Sequence, residues 1–211
     1  MQISNYDKMK NDMASTFLQY NQEKMIQKFL LEYDETYLYI FFVARNYRIN
    51  RLTGKVEWTT NSFKTIHEAD YNEVMTIYDV LCYSKDNCHL ANEWINVNSV
   101  SGIKSGNLTS NGSFFQSSAD FFDGKLSELE QACINLLGKK RNQGDLSYEF
   151  NLFPFLSVSI CFWESDEDFP ASLQILVDKN ILDYMHYETL MFALVHLFGR
   201  LKEEMGECIK D

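Results

Sequence analysis

The chain of 211 residues carries 30 acidic against 19 basic side chains, a formal net charge of −11 at pH 7. That balance excludes nucleic acid and anionic membrane as main partners, because both require a cationic footprint. With 45% hydrophobic and 15% aromatic residues there is ample material for a core, which excludes a largely disordered chain.

From Tyr6 to Leu31, Met, Gln, Lys and Glu dominate and neither Gly nor Pro interrupts, a helical composition. Tyr6, Met9, Met13, Phe17 and Tyr20 keep helical spacing, and Met25, Ile26, Phe29 and Leu30 form a second cluster. The phase slips near Asn21-Gln22, where a bend or break is expected. Thr36–Ala44 is dense in β-branched and aromatic residues and reads as a largely buried strand. A second strand around Tyr47–Arg51 meets Leu52-Thr53-Gly54 and continues into Lys55–Thr60, a short hairpin with glycine where a positive φ is needed. Asp70–Ser84 returns to helical period, and Trp94–Val97 is a short strand candidate.

Residues 98–118 are rich in serine, glycine and asparagine and read as a long surface loop. A helix or broken pair of helices is expected over Ser118–Leu137, closed by Gly138 and by Lys139-Lys140-Arg141, cations that suit the negative end of a helix dipole. Leu146–Phe153, Phe155–Trp163 and Ala171–Val177 read as strands. Tyr187, Leu190, Met191, Leu194, Leu197, Phe198, Leu201 and Met205 then fall three and four apart, the clearest amphipathic helix in the chain. The pattern predicts a single α+β domain over residues 1–211, a mainly antiparallel sheet with helices packed on one face.

The N-terminal MQISNYDKMKND has no apolar h-region, and no apolar run approaches the ~18–20 residues of a membrane span, so neither a signal peptide nor a membrane segment is expected. Five cysteines (Cys82, Cys88, Cys133, Cys161 and Cys208) form an odd set without framework spacing, which points to a reduced, cytoplasmic setting. Asn107-Leu-Thr109 and Asn111-Gly-Ser113 are then chance triplets rather than glycosylation sites.

The densest polar feature is Glu164-Ser-Asp166-Glu167-Asp168, between Trp163 and Phe169-Pro170. Carboxylates so close at a strand end suit a hard cation, with Asp166, Glu167 and Asp168 as candidate metal ligands, although the spacing is not that of an EF-hand. The bland alternative is a solvated loop. Cys82, Cys88 and His89 offer soft ligands at a spacing that matches no closed zinc site, so Cys82 is better placed as core packing. His67 precedes Glu68 in a turn-like stretch. His186 opens the last helix, whose positive end disfavours an imidazolium. His196 falls with Ala193, Arg200 and Glu203 opposite the apolar stripe, on a face expected to be wet. Gly106 to Gly112-Ser113 lacks the Lys-Ser/Thr of a P-loop. Arg45, Arg48, Arg51 and Lys55 concentrate cations on the first hairpin, to bind a small anion or decorate a solvated strand pair.

Leu152-Phe-Pro154, Val158-Ser-Ile160, Trp163-Glu-Ser-Asp166-Glu-Asp-Phe169-Pro170-Ala171 and Gln174–Asp178 together resemble an uncharacterised prokaryotic domain-of-unknown-function family, some of whose members are labelled iron–sulfur proteins. Ala44-Arg45-Asn-Tyr47-Arg-Ile49, Ile77–Leu81 and Glu188–Leu201 extend the resemblance across residues 36–201, after a helical segment 1–31. It implies one soluble domain and draws attention to residues 163–170. It implies no activity, and the scattered cysteines hold no Cys-x2-Cys run, so an iron–sulfur cluster is not expected.

Without an assembled catalytic motif, the sequence favours a non-catalytic binding or accessory domain for a small molecule or a protein partner. Its candidate ligand-binding residues are Trp163, Glu164, Asp166, Glu167, Asp168, His186 and His196. One alternative is a cation-assisted hydrolytic enzyme using the acidic loop, with a histidine as base. The other is a homo-oligomeric structural protein using exposed aromatic surface.

Overall fold

In the computed structural model, which describes residues 4–100 and 115–206, the phase slip at Asn21-Gln22 is a break between two helices. Helix α1 (Asn5–Phe17) starts at Ser4, whose side chain accepts from the Asp7 amide. Helix α2 (Gln22–Phe29) starts at Asn21, whose side chain accepts from the Lys24 amide, and it stops at Leu30 in the left-handed conformation, φ 53°.

Five strands follow as an antiparallel meander: β1 (Glu32–Tyr33), β2 (Tyr37–Phe42), β3 (Arg45–Asn50), β4 (Val56–Thr59) and β5 (His67–Glu68). Asp34 turns β1 into β2 by accepting from the Thr36 and Tyr37 amides. Val43 and Ala44, both at positive φ (43° and 55°), form the two-residue link from β2 to β3, whose twist suits a hairpin but strains a β-branched residue. The register sets Leu38 against Ile49, Ile40 against Tyr47 and Phe42 against Arg45, and all six are buried. Gly54 holds the expected positive φ, 73°; a Cβ there would lie 3.0 Å from Ala14 of α1. Helix α3 (Tyr71–Tyr83) opens with a capping box in which Asp70 and Glu73 bond each other's backbone amides, and it lies beside α1.

A second set of strands comprises β6 (Trp94–Asn96), β7 (Lys139–Lys140), β8 (Leu146–Phe153), β9 (Leu156–Trp163) and β10 (Ser172–Asp178), in the order β6-β10-β9-β8-β7. Helices α4 (Gln116–Phe122) and α5 (Leu126–Asn135) precede β7 and are divided at Gly124, φ 70°. Residues 101–114 of the expected surface loop, and with them Gly106, Gly112 and both glycosylation-type triplets, lie outside the described residues, as does Cys208. The basic run does not sit in the last turn of α5. Leu137 at φ 59° and Gly138 end that helix first, and Lys139 and Lys140 pair with Glu149 and Tyr148 as an edge strand. Lys140 meets Glu130 at 2.5 Å, and Arg141 meets Glu149 at 2.9 Å. The last helix, α6, spans Tyr187–Glu204.

The class is α+β, as expected, with the strands shared between two antiparallel sheets. The chain divides into two compact units, one per sheet. The first contains Met1–His89, Phe153–Phe155 and Asn180–Leu197; the second contains Leu90–Leu152, Leu156–Lys179 and Phe198–Asp211. Among the described residues, no helix is long and apolar enough to cross a membrane.

Candidate functional site

The acidic loop lies in the second unit and is exposed from Ser165 to Pro170, with Trp163 36% accessible and Glu164 half-buried. Asp166 spends its carboxylate inside the loop: Oδ1 accepts from the amides of Asp168 and Phe169 at 2.8 and 2.7 Å. Asp145 accepts from the Glu164 amide, and Asp123 accepts from both the amide and the hydroxyl of Ser165. Those bonds from Ser165 hold the Asp123 carboxyl below its usual range. Glu167 and Asp168 face solvent.

The cations of the first hairpin each meet a carboxylate within the first unit. Arg45 pairs with Glu73 at 3.0 Å, Arg48 with Glu57 at 2.8 Å, Arg51 with Glu23 at 2.7 Å and Lys55 with Glu57 at 3.4 Å. Cys82 is buried, and burial pushes its thiol up to about 12, which makes it a packing group. His89 stays near its own chain, Nδ1 3.1 Å from the Asn87 carbonyl. His67 stacks on Trp58 at 4.3 Å.

His186 is exposed, but its backbone amide and Nδ1 both meet the carboxylate of buried Asp79, at 2.7 Å each. Asp79 thereby anchors the start of α6. His196 departs from expectation more sharply, because its face is not wet: the residue is 7% accessible. Its ring stacks on Phe42 at 4.9 Å, and Nε2 lies 3.3 Å from the Tyr47 hydroxyl. With Ala193 and Arg200 also buried, α6 is enclosed on more than one side, so its apolar stripe understates its burial.

His196 belongs to a buried polar cluster centred on Glu73, which is 2% accessible. Glu73 Oε1 accepts from the Tyr47 hydroxyl at 2.5 Å and from Arg45 Nη1 at 3.0 Å, and lies 3.7 Å from His196 Nε2. Oε2 accepts from the Asp70 amide at 2.7 Å. Burial pushes the Glu73 carboxyl up, with the Asp70 charge adding to it and the bonds from Tyr47, the Asp70 amide and Arg45 opposing. The Tyr47 phenol is raised well above its ordinary value, first by burial and then by the Glu73 charge.

Asp70, Glu73 and His196 bring three potential metal donors within 4.8 Å of one another. A cation there would have to displace the Arg45 guanidinium, and it would sit at the positive end of α3. The chemistry therefore suits an internal charge network better than a metal centre. The Asp-x-x-Glu spacing at 70–73 was the one sequence signal for it. Arg45, Tyr47 and His196 join through tertiary structure alone.

A column of near-parallel rings rises from this cluster. His196 stacks on Phe42, Phe42 on Phe153 (4.8 Å, 18°), Phe153 on Phe155 (5.4 Å, 3°) and Phe155 on Phe29 (4.3 Å, 24°). The last two rings line an apolar groove of about 640 Å³ in the first unit, walled also by Tyr39, Tyr47, Phe41 and Phe63, with Glu32 as its one charged residue among those described. Seven non-glycine residues have positive φ among those described, and three of them, Leu30, Ser62 and Phe63, line this groove. Backbone strain of that kind gathers where a ligand is clamped.

The chain belongs to the family described as domain of unknown function (DUF3786), whose model matches residues 21–200. No curated protein and no solved structure matches it.

Proposed function

We propose that this protein is a non-catalytic binding domain whose site is the aromatic groove of the first unit. The observation that carries this is the lining: six aromatic residues around about 640 Å³, with, among the described residues, a single carboxylate at Glu32 and amide and hydroxyl groups at Asn46 and Ser62. Binding sites are mostly apolar concavities with a few polar groups that fix orientation, and this volume lies within their usual range. Among the described residues Glu32 takes part in no ion pair, which leaves its charge available to an occupant with a donor or cationic group. A cytoplasmic setting goes with this function, since Cys82, Cys133 and Cys161 are buried free thiols that pack as small apolar side chains.

The test uses N-phenyl-1-naphthylamine, a neutral aromatic dye that brightens in apolar surroundings. Saturable fluorescence with the native protein, weakened several-fold by Phe63→Ala at unchanged melting temperature, is the expected result. Emission that stays at the level of free dye, or that Phe63→Ala leaves unaltered, removes the groove as a binding site.

A further inference from the structure

Resting on that assignment of the groove, we propose that its occupant is an extended peptide segment of a partner protein, added as a strand along the open edge of β2 at Phe41.

The first ground is register. Strand β1 has two residues, pairing Glu32 with Tyr39 and Tyr33 with Leu38. Among the described residues no strand covers that side of β2 beyond Tyr39, because the left-handed turn at Leu30 takes the preceding chain into α2. The two-residue link Val43-Ala44 makes Phe42 and Arg45 the hydrogen-bonded closing pair, so Phe42, Ile40 and Leu38 aim their backbone groups at β3. Tyr37, Tyr39 and Phe41 then aim theirs away from it. Tyr37 confirms this, as its carbonyl accepts from the Asp34 amide at 2.9 Å, and Tyr39 is opposite Glu32. Phe41 is the remaining member of that row. Among the described residues no backbone partner meets its N–H and C=O on the outer side.

The second ground is that this open donor and acceptor coincide with the groove, which Phe41 lines together with Leu30 and Leu31, the residues at which β1 stops short. Strand addition needs both elements: main-chain hydrogen bonds for affinity, and apolar recesses for alternate side chains. The third ground is charge. Glu32 lies beside the open position in a chain of net charge −11, so the complementary segment carries a lysine or arginine next to apolar residues. A compact aromatic ligand would fill the groove without needing the Phe41 edge, and it is the outcome that the test separates.

The probes are acetylated and amidated hexapeptides alternating Val, Leu or Phe with Lys, and the same peptides N-methylated at alternate residues. Amide exchange at Phe41 is followed by NMR in the full chain. Binding is expected to slow that exchange by about tenfold, the worth of one net hydrogen bond, and N-methylation should abolish the effect. Phe41→Pro removes the outward N–H at an edge where proline is tolerated, and should weaken peptide binding by about tenfold relative to Phe41→Leu. Unchanged Phe41 exchange at millimolar peptide, or equal binding of the N-methylated set, overturns the strand-addition inference. If the naphthylamine dye still binds in that case, the groove stands as a small-molecule site; if neither dye nor peptide binds, both proposals fall.

Discussion

The hydroxyl of Tyr47 donates to Oε1 of Glu73 at 2.5 Å, and both side chains are withdrawn from solvent. A carboxyl group in that position holds its proton more tightly in the folded chain than in the unfolded one, because burial outweighs the bonds from Tyr47 and Arg45. Its contribution to stability is therefore complete below the ordinary value of 4.5 and is lost as pH rises through the elevated folded value. Glu73→Gln has no proton to release. The stability of the native protein relative to this variant should fall as pH is raised from below 4.5 towards neutrality, as measured by urea unfolding at several pH values. A difference that grows in the opposite direction would show that Arg45 and Tyr47 dominate.

Arg45 answers the Glu73 charge and also lies over the Trp58 ring, 3.6 Å from its centroid. Arg45→Met would keep much of the packing and leave a buried carboxylate without its counter-charge. A loss of about 3–5 kcal/mol is expected. In the double variant Arg45→Met/Glu73→Gln much of that loss should return, and a double-mutant cycle by chemical denaturation measures it.

Phe42 touches both His196 and Phe153 in the ring column, and it is fully buried. Phe42→Ala should cost about 3–5 kcal/mol through lost burial and the cavity left behind. Phe42→Leu, closer in volume, should cost less than the alanine variant, and thermal unfolding of the two ranks them.

At Gly54 a side chain meets two obstacles, a φ of 73° and the backbone and Cβ of Ala14 at 3.0–3.1 Å. The Gly54 carbonyl also accepts from the Tyr78 hydroxyl, so a shift of the turn disturbs α3 as well. Gly54→Ala should destabilise by more than about 1 kcal/mol. Ala14→Gly in the same chain removes only the Cβ contact and leaves the backbone atoms of residue 14 at 3.0–3.1 Å, so little of the loss should return, as a melting series on the three variants measures.

Asp166 already holds two amides, and Glu167 and Asp168 are exposed. Millimolar Ca²⁺ or Mg²⁺ should leave the melting temperature where it is. A rise of several degrees that Asp168→Asn removes would place a cation in the loop.

Much of the element order could be read from the residues because it depends on short-range chemistry. The break at Asn21, the glycine at 54 and the strand–strand–helix ending all follow from caps, turns and period. The end of α5 departs from the sequence expectation for a local reason as well: the helix stops at Asn135, and Leu137 in the left-handed conformation and Gly138 turn the chain before the lysines. The division of strands between two sheets had no local signature, since either set is an alternating apolar pattern. His196 could not be placed because its burial depends on Phe42, Tyr47 and Glu73, more than a hundred residues away in the chain. For the groove a clue was present in Tyr37, Tyr39 and Phe41, which make β2 aromatic on the face opposite its buried Leu38, Ile40 and Phe42. A strand apolar on both faces needs a second covering, and here that covering is partial.

The outermost strands of both sheets are short: two residues in β1, β5 and β7, and three in β6. Glu32, Glu68, Lys139 and Lys140 place formal charges on three of these four margins. Fibrillar growth requires a long, flat, uncharged ladder onto which identical chains can stack repeatedly. Margins this brief and this charged interrupt such stacking after one or two rungs, which counters the pull of its 28 phenylalanine and tyrosine rings towards chain-on-chain pairing.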